Sequence, residues 1–289
     1  MSYQHEEVAF ERFQIEGQKG VTLFVKSCGN KDSKNKVLIL HDLLDYHQCY
    51  LEFGLHILED FKHDVEVFWM DCRGHGLSTG TRYSVDNFDD LCNDLVSVAN
   101  SLFKPDASVT IMGQGLGGLI ILRTIQAYLQ RFSITLKNIV LSNPILRLKL
   151  EPPAIGRQFV GRLAGGLGKV FFPIDFESRI MTHDPIKSEI FVKDPLIGRR
   201  ITYNFYQEIL RITAHVRQEV YYINCPTALL VGKRDQLADA ETSILFAKGL
   251  SEDKTKVMIL EDCGHDLFND ICRDDNLIRL YDWIKETER

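Results

Sequence analysis

Short apolar runs, bounded by polar or turn residues, recur along most of the 289-residue chain. The later runs are nearly continuous in Val, Ile and Leu, which is typical of parallel strands buried on both faces of a sheet. Segments with helical spacing separate them. Together they predict an α/β fold with a mostly parallel, doubly wound sheet. The predicted strands are Val21–Val25, Val37–Leu40, Val65–Met70, Val109–Met112, Ile139–Leu141, Ala228–Val231 and Val257–Leu260.

Three segments have the apolar spacing of helices that cover a sheet. The first runs from Asp86 to Leu102, the second begins at Leu116 after a cluster of glycines, and the third begins at Asp274. In the first, an apolar stripe leaves three acidic residues to one side. The stripe consists of Phe88, Leu91, Leu95, Val98 and Leu102, and the acidic residues are Asp89, Asp90 and Asp94. The third carries Leu277, Leu280, Tyr281 and Ile284.

The strand rhythm stops between residues 147 and 222, which predicts an insertion in the sheet domain. We therefore divide the chain into an α/β core of residues 1–146 and 223–289 and a helical cap of residues 147–222. Within the insertion, apolar residues recur every four positions, at Ile155, Phe159, Leu163, Leu167 and Phe171. This predicted helix either packs on its own domain or, as a lid, makes transient contact with a membrane surface.

Composition narrows the possible partners and compartment. A formal net charge of -6 provides no basic field for nucleic acid, so we expect no nucleic-acid partner. The chain has neither an apolar secretion signal nor an apolar stretch long enough to span a membrane. Its 7 cysteines include no C-x-x-C pair, which favours reduced thiols over a zinc site or a disulfide framework. These features predict a cytoplasmic protein without a metal or cofactor.

The segment TIMGQGLGGLIILRTI, residues 110–125, carries the first candidate chemistry. It has the strand-turn-helix pattern of a G-x-S-x-G nucleophile elbow, but Gly115 stands where the serine would be. Alone the pattern is weak, because Gly-rich turns between a strand and a helix also bind phosphate groups.

Two residues near the end of the chain strengthen the hydrolase interpretation. Asp235 follows a predicted strand in PTALLVGKRDQLAD, and His265 follows the next one in KVMILEDCGHDLFND. Nucleophilic hydrolysis needs a base beside the nucleophile and an acidic residue that fixes the tautomer of that base. The order elbow, Asp, His suits those roles.

Further segments follow the same order along the chain: VLILHDLLDYHQCY, WMDCRGHGLSTGTR, IVLSNPILRL, DPLIGRRITYNFYQEIL and LLVGKRDQLADAE. With the elbow and the histidine loop, they resemble the monoacylglycerol lipase and lysophospholipase branch of the α/β-hydrolases, which includes relatives of the serine aminopeptidases. The resemblance extends over nearly the whole chain. It implies an α/β-hydrolase fold with a helical cap, and hydrolysis of lipid-like carboxylic esters without a cofactor.

The resemblance also implies a role for each site residue. Gly115 takes the nucleophile position without its serine, Asp235 and His265 form the acid-base pair, and backbone N–H groups of Leu43 and Leu116 line the oxyanion hole. The chain departs from the family at a second position, where Asp42 replaces a glycine of the oxyanion loop. A carboxylate there opposes the negative charge that the site must stabilise, unless it is paired or points away.

Glycine at the elbow preserves the turn while it removes the attacking oxygen. Ester hydrolysis is then very weak or absent, with a water activated by His265 as a possible slow route. Cys72 and Cys263 are expected to be buried, inert thiols, and Ser78 and Ser142 to be structural. Three hypotheses stay open: a disabled or slow esterase, a non-catalytic protein that binds an acyl or other apolar ligand, and a protein-interaction module.

Overall fold

A computed structural model describes residues 9–151, 167–174, 181–271 and 273–287. Within them, eight strands form one sheet in the order β1-β2-β4-β3-β5-β6-β9-β10, and β7 and β8 form a separate pair. The strands are β1 (Glu11–Glu16), β2 (Thr22–Gly29), β3 (Asn35–Leu40), β4 (Glu66–Met70), β5 (Ser108–Gln114), β6 (Thr135–Ser142), β7 (Phe171–Pro173), β8 (Arg200–Thr202), β9 (Thr227–Gly232) and β10 (Thr255–Leu260).

The sheet is mostly parallel, as the sequence predicts. β3 pairs in parallel with both β4 and β5, and the parallel pairing continues through β6 and β9 to β10. Within this sheet β2 alone runs in the opposite direction, antiparallel to both β1 and β4. All seven predicted strands are confirmed. Strand β1 was not predicted, because its sequence ERFQIE alternates polar and apolar residues at the edge of the sheet and forms no continuous apolar run.

Helices cover both faces of the sheet. They are α1 (Leu51–Asp60), α2 (Asp89–Leu102), α3 (Leu116–Tyr128), α4 (Pro185–Lys193), α5 (Tyr203–Gln218), α6 (Ala240–Ala247) and α7 (Arg273–Thr287). Side chains of β3 alternate between the two resulting cores: Leu38 and Leu40 pack into one, Val37 and Ile39 into the other. Such alternation is what a doubly wound sheet requires, because successive side chains of a strand point to opposite faces.

The acidic residues beside the apolar stripe of α2 are less exposed than their position on the helix suggests. Asp94 is fully buried, and Arg73 donates to it from Nε at 2.6 Å and from Nη2 at 2.7 Å. Asp90 is nearly buried and accepts from Lys19 Nζ at 2.7 Å. The arginine of the RGHG segment therefore fixes that loop to α2, a contact that the spacing of the helix alone does not indicate.

The segment 147–222 contains, in its described part, the β7–β8 pair and the helices α4 and α5. Most of the helix predicted over Ile155–Phe171 lies outside the described residues. The predicted C-terminal end of this helix is wrong, however, since Phe171 belongs to strand β7. Across the described ranges, every helix is too short or too polar to cross a bilayer.

Gly54 offers a test of the packing between α1 and the sheet. A Cβ added there would lie 2.1 Å from Cζ2 of Trp69, which is fully buried and donates from Nε1 to the carbonyl of Tyr50 at 2.8 Å. We expect Gly54→Ala to lower the free energy of unfolding by about 1–3 kcal/mol, because overpacking outweighs the gain in helix propensity of about 1 kcal/mol. Urea unfolding measures the change.

A double-mutant cycle supplies the control for Gly54→Ala. In a Trp69→Leu background the indole is gone, so the added methyl should cost much less than in the parent. An equal cost in both backgrounds would contradict the proposed collision between Gly54 and Trp69.

Candidate active site

The turn between β5 and α3 places Gly115 at the carboxyl edge of the sheet. Its backbone has φ 50° and ψ -107°, a conformation that costs a residue with a Cβ of order 1–3 kcal/mol. The Gly115 N–H donates to the carbonyl of Ser142 at 2.9 Å, and Leu116 begins α3 immediately afterwards. The turn therefore has the sharp geometry predicted from the sequence.

The Asp42 carboxylate occupies the space directly beside Gly115. A Cβ built on Gly115 would lie 1.8 Å from Asp42 Oδ1 and 2.4 Å from Cγ. The same Oδ1 accepts the Leu116 N–H at 2.7 Å, and the Leu43 N–H also donates to this carboxylate. The two backbone N–H groups predicted to form an oxyanion hole thus both bind a carboxylate of the protein itself.

His265 joins Asp42 to Asp235. Its Nε2 lies 2.9 Å from Asp42 Oδ2, and its Nδ1 lies 2.7 Å from Asp235 Oδ2. The second oxygen of Asp235 accepts the N–H groups of Leu237 at 2.7 Å and Ala238 at 2.9 Å. We call Asp42, His265 and Asp235 the ion triad. All three side chains are buried.

Charge in the ion triad is arranged to keep the imidazole protonated. Burial alone lowers the pKa of His265, but the charges of Asp235 and Asp42 outweigh it and hold the pKa well above its ordinary value. For Asp42, burial alone raises the pKa, and the opposing charge of His265 together with its hydrogen bond lowers it. An imidazolium between two carboxylates follows, and an imidazolium accepts no proton.

Side chains of neighbouring strands fix the backbone of the histidine loop. Gln114 Nε2 donates to the His265 carbonyl at 2.7 Å, and Asn143 Nδ2 donates to the same oxygen at 2.7 Å. Ser142 Oγ in turn donates to Gln114 Oε1 at 2.5 Å. Ser142 therefore has the structural role expected of it, while the sequence contained no signal for Gln114 or Asn143.

A second polar cluster supports the loop that carries Asp42. The Asp42 N–H donates to Asp45 Oδ1 at 2.7 Å, and Tyr50 Oη donates to Asp45 Oδ2 at 2.5 Å. His41 Nδ1 lies 2.7 Å from the Asp42 carbonyl. From the predicted cap segment, Gly198 donates its N–H to the Leu44 carbonyl at 2.6 Å. These contacts orient the Asp42 side chain toward Gly115 and His265.

The other candidate nucleophiles are engaged elsewhere. Cys72 is a buried free cysteine, and Ser78 Oγ donates to the Asp71 carbonyl at 2.6 Å. The expectation that Cys263 is a reduced thiol is wrong, because its sulfur is disulfide-bonded.

The route through a water activated by His265 has no space at the expected place, since the Asp42 carboxylate fills it. Within the described ranges, no group of three or more potential ligands is placed to hold a metal ion.

The sequence is similar to a family and to several individual proteins. The profile of the serine aminopeptidase, S33, family matches residues 31–271. Monoglyceride lipase of Mus musculus is 26% identical over 208 residues, which cover 68% of this chain and 64% of the relative. Uncharacterized protein YnbC of Escherichia coli is 24% identical over 239 residues, which cover 80% of this chain but only 39% of YnbC. The match thus spans less than two thirds of each relative.

Solved structures share the fold over nearly the full chain. Monoacylglycerol lipase of Paleococcus ferrophilus superposes with a TM-score of 0.76 at 18% identity, covering 97% of this chain and 99% of that one. A soluble variant of monoglyceride lipase from Saccharomyces cerevisiae, in complex with a substrate analog, has a TM-score of 0.79 at 16% identity and covers 99% of both chains. At these identities the superpositions establish the fold.

Proposed function

Because the chain belongs to the serine aminopeptidase S33 family of α/β-hydrolases, we propose that it is a non-hydrolytic member that binds an acyl-bearing, lipid-like ligand without cleaving it. One observation carries this proposal. The Asp42 carboxylate holds at once the space beside Gly115, the N–H donors of Leu116 and Leu43, and the Nε2 atom of His265.

Each of these occupied positions is needed for ester hydrolysis by the serine route. The nucleophile must stand beside the base, the base must be able to accept its proton, and two free N–H groups must receive the developing oxyanion. Here the nucleophile position is Gly115, the His265 imidazole is held protonated, and the N–H groups already bind a carboxylate. The first requirement fails because Gly115 has no side chain, and the other two fail because the Asp42 carboxylate holds both His265 and the backbone donors.

Ligand binding is supported by a cavity whose wall includes Asp266, the residue that follows His265. It has a volume of about 610 Å³, within the usual range of small-molecule sites, and much of its wall is apolar. The apolar side chains include Leu51, Leu55, Met181, Ile190 and Phe191. Relatives named as monoglyceride lipases make an acyl chain the natural apolar component of the ligand.

The test compares binding with turnover in the same protein. We expect a ten-carbon monoacylglycerol and its uncleavable ether analogue to bind with dissociation constants of about 1–100 µM. We also expect the ester to be hydrolysed no faster than in buffer alone. Ten carbons at about 0.8 kcal/mol each contribute about 8 kcal/mol before binding costs, which makes micromolar the tight end of the range. Calorimetry and chromatography of the released acid measure the two quantities.

A cavity-filling variant provides the control for that experiment. Leu55→Trp adds bulk to the wall of the cavity without touching the ion triad, so it should weaken binding at least tenfold in a protein that still folds. Release of acid above the buffer rate, abolished by His265→Ala, would overturn the proposal, and so would failure of the parent to bind either compound.

A further inference from the structure

The same cavity has one unusual polar residue in its wall. Asp266 directly follows His265, is 5% exposed, and lines the cavity together with Asn269 and Cys49. Its backbone N–H donates to the Met181 carbonyl at 2.8 Å, which fixes it against the segment that leads to α4.

The two carboxylate oxygens of Asp266 differ in their partners. Oδ2 accepts from Asn269 Nδ2 at 2.8 Å, whereas Oδ1 is buried and has no hydrogen-bond partner. An unsatisfied buried acceptor costs about 1–3 kcal/mol, and more when it is charged. A donor supplied by a ligand would remove that cost, so the wall of the cavity favours a ligand that brings one.

The charges around Asp266 favour a positively charged donor over a neutral one. Carboxyl groups of Asp42, Asp45, Asp235 and Asp266 outnumber the imidazoles of His41 and His265 in this buried region. Cys49 and Tyr50, which also face this carboxyl, add no positive charge. Lys187, which also lines the cavity, is already paired with Glu52. The cavity thus has a largely apolar wall and an excess of negative charge around Asp266.

We infer that the cavity selects a ligand with a protonated amine at the end of an apolar chain, and that a small rotation of the buried Asp266 side chain lets the ammonium group donate to Oδ1. This inference rests on the proposed function, since it assigns a head group to the lipid-like ligand. A charge-assisted hydrogen bond in a site of low dielectric is stronger than a neutral one, which gives the selectivity a physical basis.

The ionisation of Asp266 sets the conditions for the experiment. Burial, followed by the nearby charge of Asp45, raises its pKa to about 7. At pH 8 the carboxyl is therefore mostly ionised, while an alkyl ammonium group, with a pKa of about 10 by analogy with lysine, keeps its charge. Measurements at pH 8 therefore compare the ion pair that an ammonium group makes with the carboxylate against the hydrogen bond that an uncharged hydroxyl donates to it.

The experiment is titration calorimetry of the full chain at pH 8 with decylamine, decanol and decanoate, each below its micelle concentration. We expect decylamine to bind at least tenfold more tightly than decanol and decanoate. Asp266→Asn should remove this preference by weakening decylamine binding far more than decanol binding. Asp262→Asn is the matched control, because that carboxylate is exposed and paired with Arg234, and it should leave all three affinities unchanged.

The outcomes separate the inference from the proposed function. Equal binding of decylamine and decanol, or a preference that survives in Asp266→Asn, overturns the amine assignment and leaves a ligand-binding protein. If Asp266→Asn fails to fold, Leu55→Trp takes its place: loss of decylamine binding there supports this cavity as the site, and unchanged binding overturns it. Ester hydrolysis by the parent would overturn the proposed function alone.

Discussion

Gly115→Ser by itself should leave the protein without esterase activity. The double variant Asp42→Gly/Gly115→Ser, in contrast, should hydrolyse a short-chain nitrophenyl ester at least about 10³-fold faster than the parent protein. Losing the serine of a comparable hydrolase costs about 10⁶ in turnover, so partial recovery already exceeds any background. Without Asp42→Gly, the Cβ atom of a serine at position 115 would lie 1.8 Å from Asp42 Oδ1, so the side chain would have no space.

The Asp42→Gly substitution acts on three groups together. With glycine at position 42, the N–H groups of Leu116 and Leu43 become free to bind an oxyanion, and His265 Nε2 is released from its carboxylate. Removal of that charge should also lower the pKa of His265 toward the range of a general base, because Asp42 is one of the two carboxylates that raise it.

Three matched variants make this experiment decisive. Asp42→Gly alone should be inactive because it lacks a nucleophile, and His265→Ala in the double variant should abolish the gain because it removes the base. Thermal unfolding shows whether each variant is folded. A gain in Gly115→Ser alone as large as in the double variant would show that Asp42 does not block the site. A folded double variant that stays silent would show that the obstacle lies elsewhere.

The fold could be predicted from the sequence because its strongest signal is local. A strand buried on both faces appears as an apolar run, as in β5 and β9, and such runs give the sheet without any long-range information. Where a strand lies at an edge, as β1 does, the run is replaced by alternation and the signal weakens. The burial of Asp94 could not be predicted from the local sequence either, because the Arg73 that neutralises it lies 21 residues away.

The candidate site was only partly predictable. Asp235 and His265 could be proposed because each follows the end of a strand in a characteristic order, and the Leu43 and Leu116 donors were implied by the resemblance to the hydrolase family. The carboxylate of Asp42 was expected near them, but its binding to His265 depends on a contact across 223 residues and on a side-chain direction set by its neighbours. Nothing in the sequence around Asp266 indicates that one of its oxygens lacks a partner.

His265→Ala should lower the free energy of unfolding by about 3–5 kcal/mol at pH 7, because it leaves Asp42 and Asp235 buried without the cation between them. A histidine kept only for catalysis would make no such contribution, so the size of the effect separates a structural ion triad from a disabled active site. Urea unfolding gives the value. His56→Ala, on the more exposed surface of α1, should change it by less than about 0.5 kcal/mol.

The pH dependence of this cost follows from the direction of each shift. The raised pKa of His265 means that its contribution is complete below its ordinary value of 6.5 and is lost only as pH rises through the higher folded value. The lowered pKa of Asp42 means that its contribution is complete above 3.8 and is lost as pH falls through the lower folded value. In the variant, the unpaired carboxyls can instead take up protons as pH falls. The difference between parent and variant should therefore be largest near pH 7 and shrink toward pH 4, and a difference below about 1 kcal/mol at pH 7 would rule out the ion triad as a source of stability.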